Sequence, residues 1–180
     1  MKNVLIDTDV ILDFFFDREP FSENAAQVLS LCEKKIVIGF ITPVILSNVY
    51  YLLSQKGKQE KVIEKLKSLI SFLEILNIDK NAIITALNSD FKDFEDALQN
   101  YSAEQNGTIN TIITRNTKDY KKSNLGVITP EEFLKTNWCN FNVNSMSIII
   151  IIKDILSLKN NWFLRINFHY TIGIFSVFIG

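Results

Sequence analysis

Histidine is nearly absent from this chain. Its 180 residues hold one, His169, close to the C-terminal end, so a Ser-His-Asp or Cys-His mechanism would hang on that single residue. Cysteine is scarce as well. Cys32 and Cys139 lie far apart and lack metal-ligand spacing, which excludes a disulfide scaffold or a zinc knuckle and suits a reducing cytosol. Neither a G-x-G-x-x-G nor a G-x-x-x-x-G-K-[ST] loop occurs, which disfavours a phosphatase or nucleotide-binding protein on a doubly wound sheet. An excess of one charge sign is missing too: the net charge is −1, so any surface for a polyanion has to be a local patch. The opening MKNVLID has no basic region followed by a long apolar stretch and is not read as a signal peptide.

What is present describes a folded globular chain. Hydrophobic residues make up 47% and charged residues 22%, and the length suffices for one good core with a tail. Val4 to Ile6 reads as a short buried strand, and Thr8 can cap a helix through Phe16. A second helix begins near Pro20. Ile36 to Ile41 is a second strand, and Pro43 suits the first turn of a third helix that stops at Gly57. Residues 58–72 are amphipathic, Leu73 to Ile78 is a third strand, and helices follow at about 80–89 and 93–105. Thr111 to Thr114 is a fourth strand and Val127 to Thr129 a fifth, before a closing helix in PEEFLKT. Alternating strands and helices predict an α/β fold with a parallel sheet of four to five strands and helices on both faces. Sites in such sheets lie at the carboxyl ends of the strands.

Acids gather at those ends. Asp7, Asp9 and Asp13 sit within LIDTDVILDFF, beside an apolar run where charge is costly unless a cation or exposure compensates. Asp93 and Asp96 share a helical face, and Ala97, Leu98 and Tyr101 bury the same helix at once, so these acids stand at the rim of a core. Thr114 ends the fourth strand, and Asn116 and Asp119 follow it. Carboxylates from separate strand ends can hold Mg²⁺, which keeps several of its waters. The metal lowers the pKa of a bound water and stabilises charge on a scissile phosphate, so no side-chain nucleophile is required.

Three segments, LIDTDVILDFF (5–15), DFEDALQNYSAEQNG (93–107) and TIITRNTKDY (111–120), together with VITPEEFL (127–134), resemble the PIN-domain family, of the kind found in VapC-like toxins of bacterial toxin–antitoxin pairs. The resemblance covers residues 1–138 in order. It implies a PIN-like α/β/α sandwich and a cluster of acids that binds Mg²⁺ or Mn²⁺ and cleaves single-stranded RNA. Carried over by motif, Asp7, Asp96 and Asp119 are the metal-binding and catalytic acids, with Asn116, Asp93 and Asn48 as further candidate ligands. Thr114, Asp9 and Asp13 are read as supporting residues behind them. Arg115 and Lys118, with Lys121 and Lys122, form a basic cluster read as phosphate contacts, against the alternative of a solvated loop. Tyr50, Tyr51 and Phe14 to Phe16 are read as core or dimer contacts. One departure stands out: the family usually carries a Glu in its third helix, and PVILSNVYYLL has Asn48 there. Removing one negative charge should weaken divalent binding.

The expected function is a cytoplasmic, metal-dependent endoribonuclease, the toxin partner of a cognate antitoxin and a homodimer, with no membrane partner. The rival reading is a PIN-like RNA-binding or interaction module weakened in catalysis through Asn48. Composition shifts after Trp138. Residues 139–180 hold three of the 19 basic residues and one of the 20 acids, with five isoleucines at 148–152. This hydrophobic tail is read as lying outside the fold, for example as out-of-frame translation past the true end. A hydrophobic docking element and a marginal membrane anchor are the alternatives.

Overall fold

The computed structural model describes residues 2–141, with side chains through residue 136. The elements run β1 (Lys2–Ile6), α1 (Thr8–Phe15), α2 (Ser22–Glu33), β2 (Val37–Ile41), α3 (Pro43–Ser54), α4 (Gln59–Ile70), β3 (Glu74–Ile75), α5 (Lys80–Leu87), α6 (Phe94–Asn106), β4 (Thr111–Ile113), β5 (Gly126–Ile128) and α7 (Pro130–Phe141). The five strands form one parallel sheet in the order β3-β2-β1-β4-β5, the α/β sandwich that the alternating elements predict. The boundary expected at 138 falls inside α7, and the tail beyond Phe141 lies outside the described residues. Among those described, no helix is long and apolar enough to cross a membrane.

β1 sits at the centre because its residues can be buried on both faces: Val4, Leu5 and Ile6 are fully inaccessible, as parallel strands covered by helices require. The chain leaves β1 toward β2 and β3, then returns to β4 on the other side. Right-handed crossovers therefore put α1–α4 over one face and α5–α6 over the other. The packing agrees: α1 rests on α2 and α3, α3 on α4, and α5 on α6. Strand order reverses between β1 and β4, which opens a crevice at their carboxyl ends.

Close packing has a specific requirement at Gly39 in β2. A Cβ there would lie 2.7 Å from both Cys32 Sγ and Leu73 Cδ2, so any larger residue would have to push these side chains aside. β3 is shorter than the six residues expected. Only Glu74 and Ile75 pair with β2, because this edge strand has one neighbour. Leu73 and Leu76 nevertheless stay buried on either side of the pair.

A carboxylate-lined cavity at the switch point

Asp7 marks the junction of β1 and α1. Its N–H donates to the Ile113 carbonyl (3.1 Å), so it still belongs to the sheet. Its extended backbone (φ −74°, ψ 159°) makes it the N-cap of α1, with Oδ1 accepting from Thr8 N (2.6 Å). The capping role expected of Thr8 thus falls to Asp7: a carboxylate one residue earlier reaches a free N–H at the positive end of the helix. Asp7 Oδ2 accepts from Thr114 Oγ1 (2.8 Å). The backbone N–H of Asn116 donates to that same hydroxyl (3.0 Å), which leaves the Thr114 proton for the carboxylate.

Asp7, Asp96 and Asp119, distant in sequence, line one cavity of about 400 Å³. Asp9, Asp93, Asn48 and Asn116 line it too, as does Glu95, which the sequence reading passed over. Asp93 caps α6 through bonds to Glu95 N (2.7 Å) and Asp96 N (3.2 Å), so its carboxylate faces the helix it starts. Asn48 Nδ2 donates to Glu95 Oε1 (2.5 Å), and Asn116 Nδ2 donates to Asp119 Oδ2. Both amides expected as ligands thus offer an N–H to an acid. Tyr51 lines the cavity at 64% exposure and is not a core contact.

Crowding governs protonation here. Burial, and then the charge of Asp9, pushes the Asp7 carboxyl up to about 7, against the pull of its Thr114 hydrogen bond; Asp96 adds to the rise. Burial, and then Asp93, pushes Asp96 up to about 6, and Asp119 and Glu95 contribute to that rise. Asp9 is raised by burial, opposed by the Arg115 N–H (3.0 Å) on its Oδ2, and its Oδ1 is buried without a hydrogen-bond partner. Acids that raise one another and leave an orphaned oxygen describe a site with negative charge in excess, even with Arg18 on its lining.

Asp13 and Arg115 lie behind the cavity. Asp13 is fully buried, with Oδ2 2.5 Å from Arg115 Nε and Oδ1 3.6 Å from Arg18 Nη1. Burial raises its pKa and Arg115 opposes the rise. Arg115 also stands 3.8 Å from Asp9 and stacks over the Phe21 ring at 4.4 Å. Arg115, read from the sequence as a phosphate contact, directs its Nε toward two acids of α1 in this structure. Lys118, Lys121 and Lys122 are exposed and do not line the cavity.

Sequence reasoning also missed Tyr120 and Gln99. Tyr120 is 2% exposed, and its O–H donates to Gln99 Oε1 (3.2 Å) with Asp7 Oδ2 at 3.5 Å. Burial and the neighbouring carboxylates raise its pKa, which keeps it a proton donor. An aromatic directly after Asp119 in TRNTKDY was the available signal. A polar residue one turn beyond the DFED acids pointed to Gln99.

Every cavity donor from Asp7, Asp9, Asp96 and Asp119 is a hard carboxylate oxygen, the set that suits Mg²⁺ or Mn²⁺. Among the described residues no three of His, Cys, Asp or Glu are already grouped to hold an ion, so the acids share a cavity without being closed on one point. The fit rests on donor chemistry and on the orphaned Asp9 Oδ1.

A sequence profile of the PIN domain matches residues 3–118. A search of the curated proteins gave no significant match. Among solved structures, a toxin–antitoxin complex from Klebsiella pneumoniae is similar at 25% identity and TM-score 0.54, covering 71% of this chain and 97% of that one. VapBC2 from Rickettsia felis, bound to a DNA fragment from its promoter, is similar at 18% identity and TM-score 0.52, covering 70% and 96%. FitAB bound to a DNA fragment is similar at 16% identity and TM-score 0.54, covering 71% and 94%. With a profile match over more than half its length, this chain belongs to the PIN-domain family.

Proposed function

We propose that this protein is a divalent-metal-dependent endoribonuclease that cleaves single-stranded RNA and acts as the toxin of a toxin–antitoxin pair. The observation that carries the reading is the convergence of Asp7, Asp96 and Asp119 on one cavity at the carboxyl ends of β1 and β4. Family membership supports a nuclease, and the Klebsiella complex supports an antitoxin as partner. Exposed Tyr51, Leu87 and Phe94 (64%, 67% and 48%) offer apolar surface for a protein contact, with an antitoxin or a second copy. A cytoplasmic location goes with this reading.

Asp7, Asp96 and Asp119 would hold Mg²⁺ or Mn²⁺, with Asp9 Oδ1 as a further oxygen. Such an ion lowers the pKa of a bound water and neutralises charge gathering on a scissile phosphate. The chain's own residues do the rest. Thr114, oriented by the Asn116 N–H, fixes one oxygen of Asp7, and Thr8 N fixes the other. Arg115 holds Asp9 at the wall of the cavity through its backbone N–H. Tyr120, buried with its hydroxyl 3.5 Å from Asp7 Oδ2, keeps its proton. Tyr51 presents a ring at the mouth on which a base can stack.

The test incubates a labelled single-stranded RNA with the protein in Mn²⁺, in Mg²⁺ and in EDTA. Cleavage in either metal, lost in EDTA and lost in Asp7→Asn, is expected. Cleavage that persists in EDTA contradicts the reading.

A further inference from the structure

We infer that Glu95 supplies, from α6, the metal-binding carboxylate that Asn48 withholds from α3. The inference rests on the metal site proposed above. Helix α3 passes the cavity with an amide where an acid is expected, and that amide is hydrogen-bonded to a carboxylate from another helix. Asn48 and Glu95 are 47 residues apart in sequence, yet Asn48 Nδ2 stands 2.5 Å from Glu95 Oε1. The cavity therefore has no gap in charge at this wall; the acid has been moved across it.

Glu95 is held rather than merely present. Gln99, one turn further along α6, donates from Nε2 to the same Oε1 (3.1 Å). The direction of that amide is fixed at its other end, where Oε1 accepts from the Tyr120 hydroxyl. Two amides thus grip one oxygen of Glu95. Among the described residues no donor reaches Oε2, although Glu95 lines the cavity. One oxygen anchored and one open is the arrangement a carboxylate ligand needs, since the partners of a ligand orient it and tune its affinity. The other acids of the α6 first turn are placed differently: Asp93 caps the helix, and Asp96 is already counted among the ligands. Asn48 is then a positioning residue, and its lack of charge is what permits close approach. A glutamate at that position would set two carboxylates against each other.

Calorimetric titration of Mn²⁺ into the full chain tests this, with melting in EDTA recorded for each variant. Glu95→Gln keeps the shape and the contact with Asn48 and is expected to weaken Mn²⁺ binding about tenfold or more. Asp90→Asn removes one charge from an exposed residue outside the cavity and is expected to leave affinity unchanged. Equal weakening in both would assign the effect to net charge and overturn the inference. The exchange Asn48→Glu with Glu95→Gln returns the carboxylate to α3 and should restore most of the affinity; affinity that stays at the Glu95→Gln level overturns it. Asp7→Asn separates the two levels of the argument. If Asp7→Asn abolishes binding while Glu95→Gln binds as wild type does, the inference about Glu95 fails and the metal site stands. If the wild type takes up no Mn²⁺, both fail.

Discussion

Replacing Asp7 by asparagine should make the metal-free protein more stable at neutral and alkaline pH while removing its activity. Asp7 is 6% exposed, and its folded pKa is pushed from 3.8 up to about 7. For an acid with a raised folded pKa, the native state binds more protons than the unfolded chain between those two values. Stability is therefore full below pH 3.8, falls as pH rises, and has lost its whole share once the pH passes about 7. The ceiling on that loss is about 4 kcal/mol; relaxation and water entry from the cavity that Asp7 lines bring it to about 2 kcal/mol. An amide in its place keeps the helix cap. Its N–H₂ can donate to Thr114 Oγ1, whose proton then turns to Asp9 Oδ2, 3.4 Å away. Asp96, raised to about 6 in part by its neighbours, shifts stability in the same direction. In EDTA, wild type should melt several degrees lower at pH 8 than at pH 5. Asp7→Asn should flatten that slope and melt higher than wild type at pH 8. Added Mn²⁺ should reverse the ranking by stabilising wild type alone. A variant less stable than wild type at pH 8 in EDTA would refute the reasoning.

Three further outcomes are expected. Arg115→Ala leaves Asp13 buried with only the 3.6 Å contact to Arg18 and should cost about 3 kcal/mol in urea unfolding; an unchanged midpoint would remove Arg115 from the support of α1. Gly39→Ala forces a Cβ to within 2.7 Å of Cys32 Sγ and Leu73 Cδ2 and should cost about 1–3 kcal/mol, read from thermal melting; a neutral result would mean that α2 lifts off the sheet without cost. Ending the chain after Phe141 should leave melting and RNA cleavage unchanged, and a large drop in melting temperature would make the tail part of the fold.

Much of the architecture is legible because burial writes itself into composition. The runs at 4–6, 37–41 and 111–113 have few polar breaks, since parallel strands are covered on both faces, and the order of acids after strands follows from the same plan. What stayed hidden depends on contacts between distant segments. Thr8 looks like a helix cap by residue type, yet Asp7 takes that role because it is the single residue between β1 and α1. Arg115 reads as a free cation until Asp13, a hundred residues earlier, is seen beside it. Asn48 reads as a lost acid because nothing local reveals that Glu95 arrives from α6. Gln99 and Tyr120 carry only the weak signal of their place beside Asp96 and Asp119, since the importance of each lies in which carboxylate it faces.

The most direct measurement is the position of bound manganese. Crystals of the full chain soaked in Mn²⁺, with anomalous difference density collected at the manganese edge, should show a peak in the cavity at the carboxyl ends of β1 and β4. Oxygens of Asp7 and Asp96 should be among its ligands. No peak there at saturating Mn²⁺, or a peak held only by acids elsewhere on the surface, would contradict the account.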